Sequence, residues 1–319
     1  MSQFLSDEIK IFAGNANPEL ANEIARLLGV PLGKSQVGSF SDGETCVKID
    51  ELVREMDVFI VQPTCPPHIN DNLMELLVMI DAIHRSSARR ITAVLPYYGY
   101  ARQDRKSRSR DPITAKLVAN IITEAGADHV LTMDLHCDQI QGFFDIPFDH
   151  LRGLPIFAQH YLETIPDRSD VIVVSPDLGS VSRARRLSEK LDVPLAIVDK
   201  HRPAPNISEV VGIIGDIKGR RCIMLDDSID TAGSLTNAAK ALMDYGAKEV
   251  MACATHAIFS GPALKRIEES PISELVVLNT ITLPPEKRLA KIKQFSVAPM
   301  FADAIDHIHH GKSISELFK

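Results

Sequence analysis

The run from Arg221 to Ser234 carries the densest chemistry in this sequence. It opens with the apolar residues Cys222-Ile223-Met224-Leu225, fit for a buried strand, and then sets Asp226 and Asp227 at the strand's carboxyl end. Open α/β sheets bind ligands at that end. Asp230 and four small residues, Thr231, Ala232, Gly233 and Ser234, follow directly before a segment of helical spacing. Small side chains let backbone N–H groups approach an anion, and a helix N-terminus adds about half a positive charge. The hydroxyls of Thr231 and Ser234 can donate to phosphate oxygens. Asp226 and Asp227 can either accept hydrogen bonds from two vicinal hydroxyls or hold Mg2+ through water. A phosphate cradle beside a diol acceptor describes a sugar phosphate. A helix cap after a solvated acidic turn would use similar residues; the coincidence of acids, small residues and helix start favours the ligand site.

Four further segments could serve the same chemistry. Five of the nine residues from Arg102 to Arg110 are cationic, a composition that suits either a solvated loop or a loop folded over a polyphosphate. His136 ends an apolar run and could bind a metal through a neutral imidazole or be structural. Asp177-Leu178-Gly179-Ser180 offers a carboxylate, a turn glycine and a second anion nest, or a plain N-cap. Lys200 and Arg202 sit one residue apart on an extended stretch before Pro203, so both can reach one side, Lys200 as a point charge and Arg202 as a fork.

The elements that must position these residues alternate. Candidate strands are Lys10-Phe12, Val58-Gln62, Ile91-Leu95, Val130-Met133, Val171-Val174, Leu195-Val198, Cys222-Leu225, Glu249-Ala254 and Leu275-Leu278. Segments of helical spacing lie between them, including Asn72-Arg85, Pro112-Ala125, Ser180-Leu191 and Ser234-Tyr245. Alternation of this kind predicts parallel sheets with helices on both faces. The pattern repeats: Val193-Pro194-Leu195 stands to Val30-Pro31-Leu32 at the same offset as Arg221 stands to Val58. A duplicated α/β domain follows, with its seam near Gly153-Leu154-Pro155. The terminal piece Ala302-Lys319 reads as a helix and a short tail that pack back on the first half.

A formal net charge of -7 argues against a protein that coats nucleic acid. Five cysteines without metal or redox spacing suit free thiols in a reducing cytosol, so a cytoplasmic location is expected. No run reaches the length of a membrane span, and the N-terminus lacks the pattern of a signal peptide.

Together these residues resemble class I ribose-phosphate diphosphokinases over almost the whole chain. The resemblance is carried by Phe40-Ser41-Asp42-Gly43-Glu44, the stretch Asn70-Leu76, Tyr100-Ala101-Arg102-Gln103-Asp104, the Asp134-His136 strand end, Gln139-Phe144 and the Asp226-Ser234 loop. It implies two similar phosphoribosyltransferase-type domains, each a mainly parallel sheet flanked by helices: 1–152, joined by the tail 306–319, and 153–305. It implies transfer of a diphosphate from Mg-ATP to ribose 5-phosphate. Phe40, Asp42, Gly43, Glu44, Arg102 and Gln103 would bind ATP, with Phe40 meeting the adenine held mainly by a neighbouring subunit of a hexamer. His136 and Asp177 would support Mg2+. Lys200, Arg202 and Arg102 would be catalytic. Arg202, Asp226, Asp227 and the run Asp230, Thr231, Ala232, Gly233, Ser234 would hold ribose 5-phosphate, and Asp177, Leu178, Gly179 and Ser180 the diphosphate. Arg54, Arg110, Gln141, Asp149, Ser313 and Ser315 match a regulatory site for phosphate and ADP. The chain departs from the family pattern at Ser180, Ser234 and Leu52. Leu52 offers the regulatory anion no donor, and Asp138 would repel it if it faced the site, so weak phosphate activation is expected. The alternatives are a catalytically silent regulatory homologue and a phosphoribosyltransferase.

Overall fold

Short β-branched runs and amphipathic segments fold here into two α/β units. The computed structural model describes residues 9–204 and 207–315, with side chains at 9–199 and 212–315. One unit comprises the described residues up to Arg152 with Thr280–Thr282 and the chain from Ser296 on; the other comprises Gly153–Asn279 and Leu283–Phe295.

In the first unit, strands β1 (Ile9–Ala13), β4 (Asp57–Val61), β5 (Arg90–Leu95), β6 (His129–Met133) and β7 (Phe148–Leu151) form one sheet in that order. All its pairings are parallel. Helices α1 (Pro18–Leu28), α2 (Ile69–Arg85) and α3 (Thr114–Glu124) make the crossovers. Helix α1 shows how local chemistry sets an element's ends. Asn17 Oδ1 accepts from Leu20 N at 3.2 Å, Pro18 stands at the first helical position, and Gly29 closes the helix at φ 72°. Strands β4, β5 and β6 are buried on both faces, as parallel strands with helices on each side must be. Between α1 and β4 a hairpin projects, β2 (Ser35–Ser39) against β3 (Thr45–Ile49).

The second unit holds a seven-stranded sheet. Its members are β8 (Val171–Ser175), β9 (Leu195–Ala204), β10 (Ile207–Ile214), β11 (Arg221–Ile229), β12 (Glu249–Ala257), β13 (Ile272–Leu278) and β14 (Ile292–Phe295), in the order β10-β9-β8-β11-β12-β13-β14. Only β10 is antiparallel to its neighbour. Helices α4 (Leu154–Thr164), α5 (Val181–Leu191), α6 (Gly233–Asp244) and α7 (Ala263–Glu269) accompany it. From β8 the chain moves outward to β9 and returns to β11 on the other side. Open α/β sheets bind ligands in a crevice at such a reversal, outside the carboxyl ends of the strands, here β8 and β11.

The duplication is visible in the topology. Leu32 bridges to Ile11 on the edge of β1 opposite β4, so it occupies the place that β9 takes beside β8. The β2–β3 hairpin then lies in the chain where the β9–β10 hairpin lies in the second unit.

After the short excursion Thr280–Thr282, the chain rejoins the first unit at Ser296, where the sequence reading set the returning tail at 306–319. Ser296 Oγ donates to Glu23 of α1 at 2.7 Å, and α8 (Ala298–His309) packs on α1. The end of α8 is fastened by a buried ionic cluster. Asp57 is fully buried; its carboxylate accepts from Arg90 Nε at 2.8 Å and meets His309 Nδ1 at 2.8 Å, while Arg90 also donates to Ile308 O at 3.1 Å. Removing one partner of such a group strands the others. Asp57→Ala is expected to cost about 3 kcal/mol, read as a lower urea midpoint; a loss below about 1 kcal/mol would show that the cluster does not fasten α8. Among the described residues no helix is long and apolar enough to cross a membrane.

Candidate active site

The carboxyl end of β11 places Asp226 and Asp227 beside the crevice. Asp226 Oδ1 accepts from Asp227 N at 2.8 Å, and Arg183 Nη1 of α5 lies 3.2 Å from Asp227 Oδ1 and 3.7 Å from Asp226 Oδ1. Desolvation pushes the Asp226 carboxyl well above the ordinary carboxylate range. The charge and hydrogen bond of Asp227 and the charge of Asp177 push the same way, and Arg183 offsets them only in part.

The loop after β11 has the form of an anion cradle. Ala232 sits in the left-handed region at φ 59° and caps α6, whose first turn holds no acid to cancel its positive end. Thr231 and Ser234 are exposed, while Ala232 and Leu235 are buried. The segment before and within α7 braces the loop from behind. Phe259 N donates to Ile229 O at 3.0 Å, Ser260 N to Asp230 O at 3.1 Å, Ser260 Oγ to the Asp230 carboxylate, and Arg266 Nη1 to Thr231 O at 3.0 Å.

At the end of β8, Asp177 Oδ1 accepts from Ser180 N at 3.0 Å and Ser175 Oγ donates to Asp177 O at 2.7 Å, which closes a tight turn into α5. The Ser180 side chain is buried, with its hydroxyl 3.5 Å from Asp226 Oδ1. Leu178 is exposed. Lys200 and Arg202 belong to β9, and their side chains lie outside the described residues.

In the first unit, Arg102 and Gln103 line a cleft of about 370 Å³ with His68, Asn70, Tyr97 and Tyr100. The loop that bears them is pinned at several points. Tyr100, at φ 63°, donates its hydroxyl to Asn70; Thr114 Oγ1 donates to Gln103 Oε1 at 2.6 Å; Ala115 N donates to Gln103 O at 3.2 Å. Asp104 accepts from Cys137 Sγ at 3.0 Å. Burial and the Asp104 charge push the Cys137 thiol up to about 12, so it is no nucleophile at neutral pH. Exposed His136 follows a segment held by His150, whose side chain is buried and whose Nε2 accepts from Leu135 N at 2.8 Å.

The β2–β3 turn presents Phe40, Asp42 and Glu44. Phe40 N donates to Glu44 O at 2.8 Å, Glu44 N to Asp42 Oδ1 at 3.1 Å, and Gly43 takes φ 94°, which favours glycine. Phe40 is left 57% exposed at the tip.

The residues expected to form a regulatory site all belong to the first unit. No described hydrogen bond or ion pair joins Arg54 or Arg110 to Gln141, Asp149, Ser313 or Ser315. Gln141 Nε2 donates to Asp138 O at 2.9 Å, Asp149 Oδ2 lies 2.9 Å from His129 Nε2, and the Ser313 and Ser315 hydroxyls are 2.8 Å apart. The Asp138 carboxylate accepts from Arg152 Nη1 at 2.9 Å. Leu52 is exposed and offers no donor.

Sequence reasoning missed Arg183, Ser260 and Arg266. Each lies on or beside a helix whose charged residues read as a solvated face, and only the fold brings them to the loops.

A parallel sheet reversing at β8 and β11, with two acids and an anion cradle at that point, defines a phosphoribosyltransferase-type α/β protein, here in a duplicated chain. Residues 9–126 match the family described as the N-terminal domain of ribose phosphate pyrophosphokinase, and residues 180–319 match the phosphoribosyl synthetase-associated domain. A ribose-phosphate pyrophosphokinase of Clostridium perfringens is 62% identical across 98% of each chain, and one of Bacillus cereus is 54% identical across 99% of each. The crystal structure of phosphoribosylpyrophosphate synthetase from Mycobacterium smegmatis superposes with a TM-score of 0.90 at 42% identity, covering 96% of this chain and all of that one. The chain belongs to the ribose-phosphate pyrophosphokinase family.

Proposed function

We propose that the protein transfers the β,γ-diphosphoryl group of Mg-ATP to the 1-hydroxyl of ribose 5-phosphate, giving 5-phosphoribosyl 1-diphosphate and AMP for nucleotide biosynthesis. The observation that carries this reading is the Asp230–Ser234 cradle at the N-terminus of α6, set directly after the Asp226–Asp227 pair. Thr231, Ala232, Gly233 and Ser234 bind the 5-phosphate, and Asp226 and Asp227 accept from the ribose hydroxyls. The turn Asp177–Ser180 binds diphosphate. In the other unit, Arg102 and Gln103 hold the ATP phosphates in the cleft that they line.

The donor set suits Mg2+. Asp177, Asp226 and Asp227 supply hard oxygens of the kind Mg2+ takes; burial first, and then the charges of Asp227 and Asp177, raise the Asp226 carboxyl, and a cation would offset those charges. Asp177 of the second unit and His136 of the first are the residues that would support Mg2+. When bound, Mg2+ neutralises charge on the phosphoryl oxygens. Lys200, Arg202 and Arg102 stabilise the charge that spreads over the β-phosphoryl group and the leaving oxygen during in-line attack. The reading is tested by a coupled assay of AMP release: one AMP for each ribose 5-phosphate consumed is expected, and ATP turnover independent of the sugar would overturn it.

The exposed Phe40 fits stacking on adenine held by a neighbouring subunit, within a hexamer. Phe40→Ala is then expected to raise the KM for ATP about tenfold, since base–aromatic stacking is worth about 1–3 kcal/mol, with the KM for ribose 5-phosphate unchanged. A fully active monomer in light scattering at assay dilution would contradict this.

Phosphate and ADP act as regulators at the Arg54 and Arg110 site, with Gln141, Asp149, Ser313 and Ser315 contributing. Leu52 is the weakness there, and Asp138, paired with Arg152, adds repulsion only where it faces the anion. A hydrogen bond to a charged group is worth about 1.5–3 kcal/mol, so Leu52→Ser should lower the phosphate concentration for half-activation roughly tenfold. Strong, saturable activation of the wild type, unchanged in Leu52→Ser, would count against it.

A further inference from the structure

Among the described residues, the guanidinium of Arg266 makes a single hydrogen bond, to the carbonyl of Thr231 at 3.0 Å. It also packs over Gly233, where an added Cβ would stand 3.1 Å from Nη1, so glycine leaves the room that the guanidinium occupies. We infer that Arg266 is a positioning residue for ribose 5-phosphate, fixing the Thr231–Ala232 peptide so that its N–H is presented to the 5-phosphate. The inference rests on the assignment of the Asp230–Ser234 loop to that group.

The geometry of the peptide unit carries the argument. In a trans peptide the carbonyl and the following N–H point in opposite directions. With the Thr231 carbonyl turned to Arg266, the Ala232 N–H is turned away from it. Loops built on a left-handed residue are prone to alternatives, because that conformation costs energy unless the surroundings hold it. Here Ala232 is such a residue, at φ 59°. Its own carbonyl is occupied by Thr236, which donates from N at 3.0 Å and from Oγ1 at 3.0 Å. The peptides on either side of Ala232 are therefore both held, one by α6 and the other by Arg266. Upstream, Ile229 and Asp230 are held by Phe259 and Ser260. Arg266 completes this brace at the point nearest the cradle, and it is the member that adds positive charge. It works from behind the loop and does not touch the reacting atoms.

The test compares Arg266→Met, which removes both donor and charge, with Arg266→Lys, which keeps a donor and the charge. Arg266→Gln is run beside them, so that the result does not hang on the folding of one variant. Ribose 5-phosphate binding is measured by isothermal titration calorimetry without ATP, and both KM values by steady-state kinetics. The expected result is ribose 5-phosphate binding at least about tenfold weaker in Arg266→Met and Arg266→Gln, recovery to within about threefold in Arg266→Lys, and a KM for ATP within about twofold throughout. Binding of ribose 5-phosphate to Arg266→Met or Arg266→Gln within threefold of wild type would overturn the inference, as would an equal rise in the KM for ATP. Failure of the proposed function shows separately, as wild-type protein that releases no AMP from ATP and ribose 5-phosphate.

Discussion

Lys200→Ala is expected to lower kcat by at least about 100-fold while changing ribose 5-phosphate affinity by less than about threefold. A fixed donor aimed at charge that grows only in the transition state is worth roughly 10²–10³ in kcat. Such an interaction lowers kcat and kcat/KM together and leaves ground-state binding alone. Lys200 belongs to the hairpin of β9 and β10, the counterpart of the β2–β3 hairpin that bears Phe40. The duplicated unit would thus use equivalent hairpins for different ends of one reaction, adenine in one case and the transferring phosphoryl group in the other. Lys200→Arg should recover little, because a planar fork does not replace a compact ammonium. A Lys200→Ala enzyme with near-normal turnover would remove Lys200 from the catalytic assignment.

Arg102→Ala should reduce kcat/KM for ATP by about 100-fold, with the KM for ribose 5-phosphate unchanged. The loop carrying Arg102 is tied down by Asn70, Thr114, Ala115 and Cys137, so an arginine proposed to bind the triphosphate would have little ordering still to be done. Two charge-assisted hydrogen bonds to phosphate at the lower end of their range, about 1.5 kcal/mol each, account for an effect of that size. Steady-state kinetics with ATP varied decide it. A variant whose KM for ATP and kcat both stay within twofold of wild type would show that the cleft beside Arg102 is not where the triphosphate binds.

The sequence disclosed most where chemistry and secondary structure share one contiguous run. Arg221–Ser234 could be read as strand, acids, cradle and helix because each residue's type matched its place, and β11 and α6 form there. The strands buried on both faces were legible for the same reason, as apolar β-branched runs. The hairpin strands β2, β3 and β10 were not read, nor were the edge strands β7 and β14. Ser35–Ser39 and Thr45–Ile49 are partly exposed and polar, and β7 and β14 are four residues each. A partly exposed or very short strand carries little periodic signal. Helix α4 was also passed over, because its apolar residues lie on several sides. The brace formed by Ser260 and Arg266 was invisible for another reason. Arg266 donates to a residue far back in the chain, and Lys265-Arg266 in a helix reads as a solvated face until β11 and β12 are paired. The partner of Asp138 was not legible either: Arg152, which donates to its carboxylate, lies beyond β7 in the chain.

The central claim is attack on the β-phosphorus of ATP with AMP as leaving group. It is tested most directly with ATP carrying 18O in the α,β-bridge, incubated with ribose 5-phosphate and followed by 31P NMR. Attack at the β-phosphorus breaks the bond between that phosphorus and the bridging oxygen, so the label should appear in AMP and none in the 1-diphosphate of the sugar product. Label in the diphosphate of the sugar, or ADP formed in place of AMP, would contradict the account.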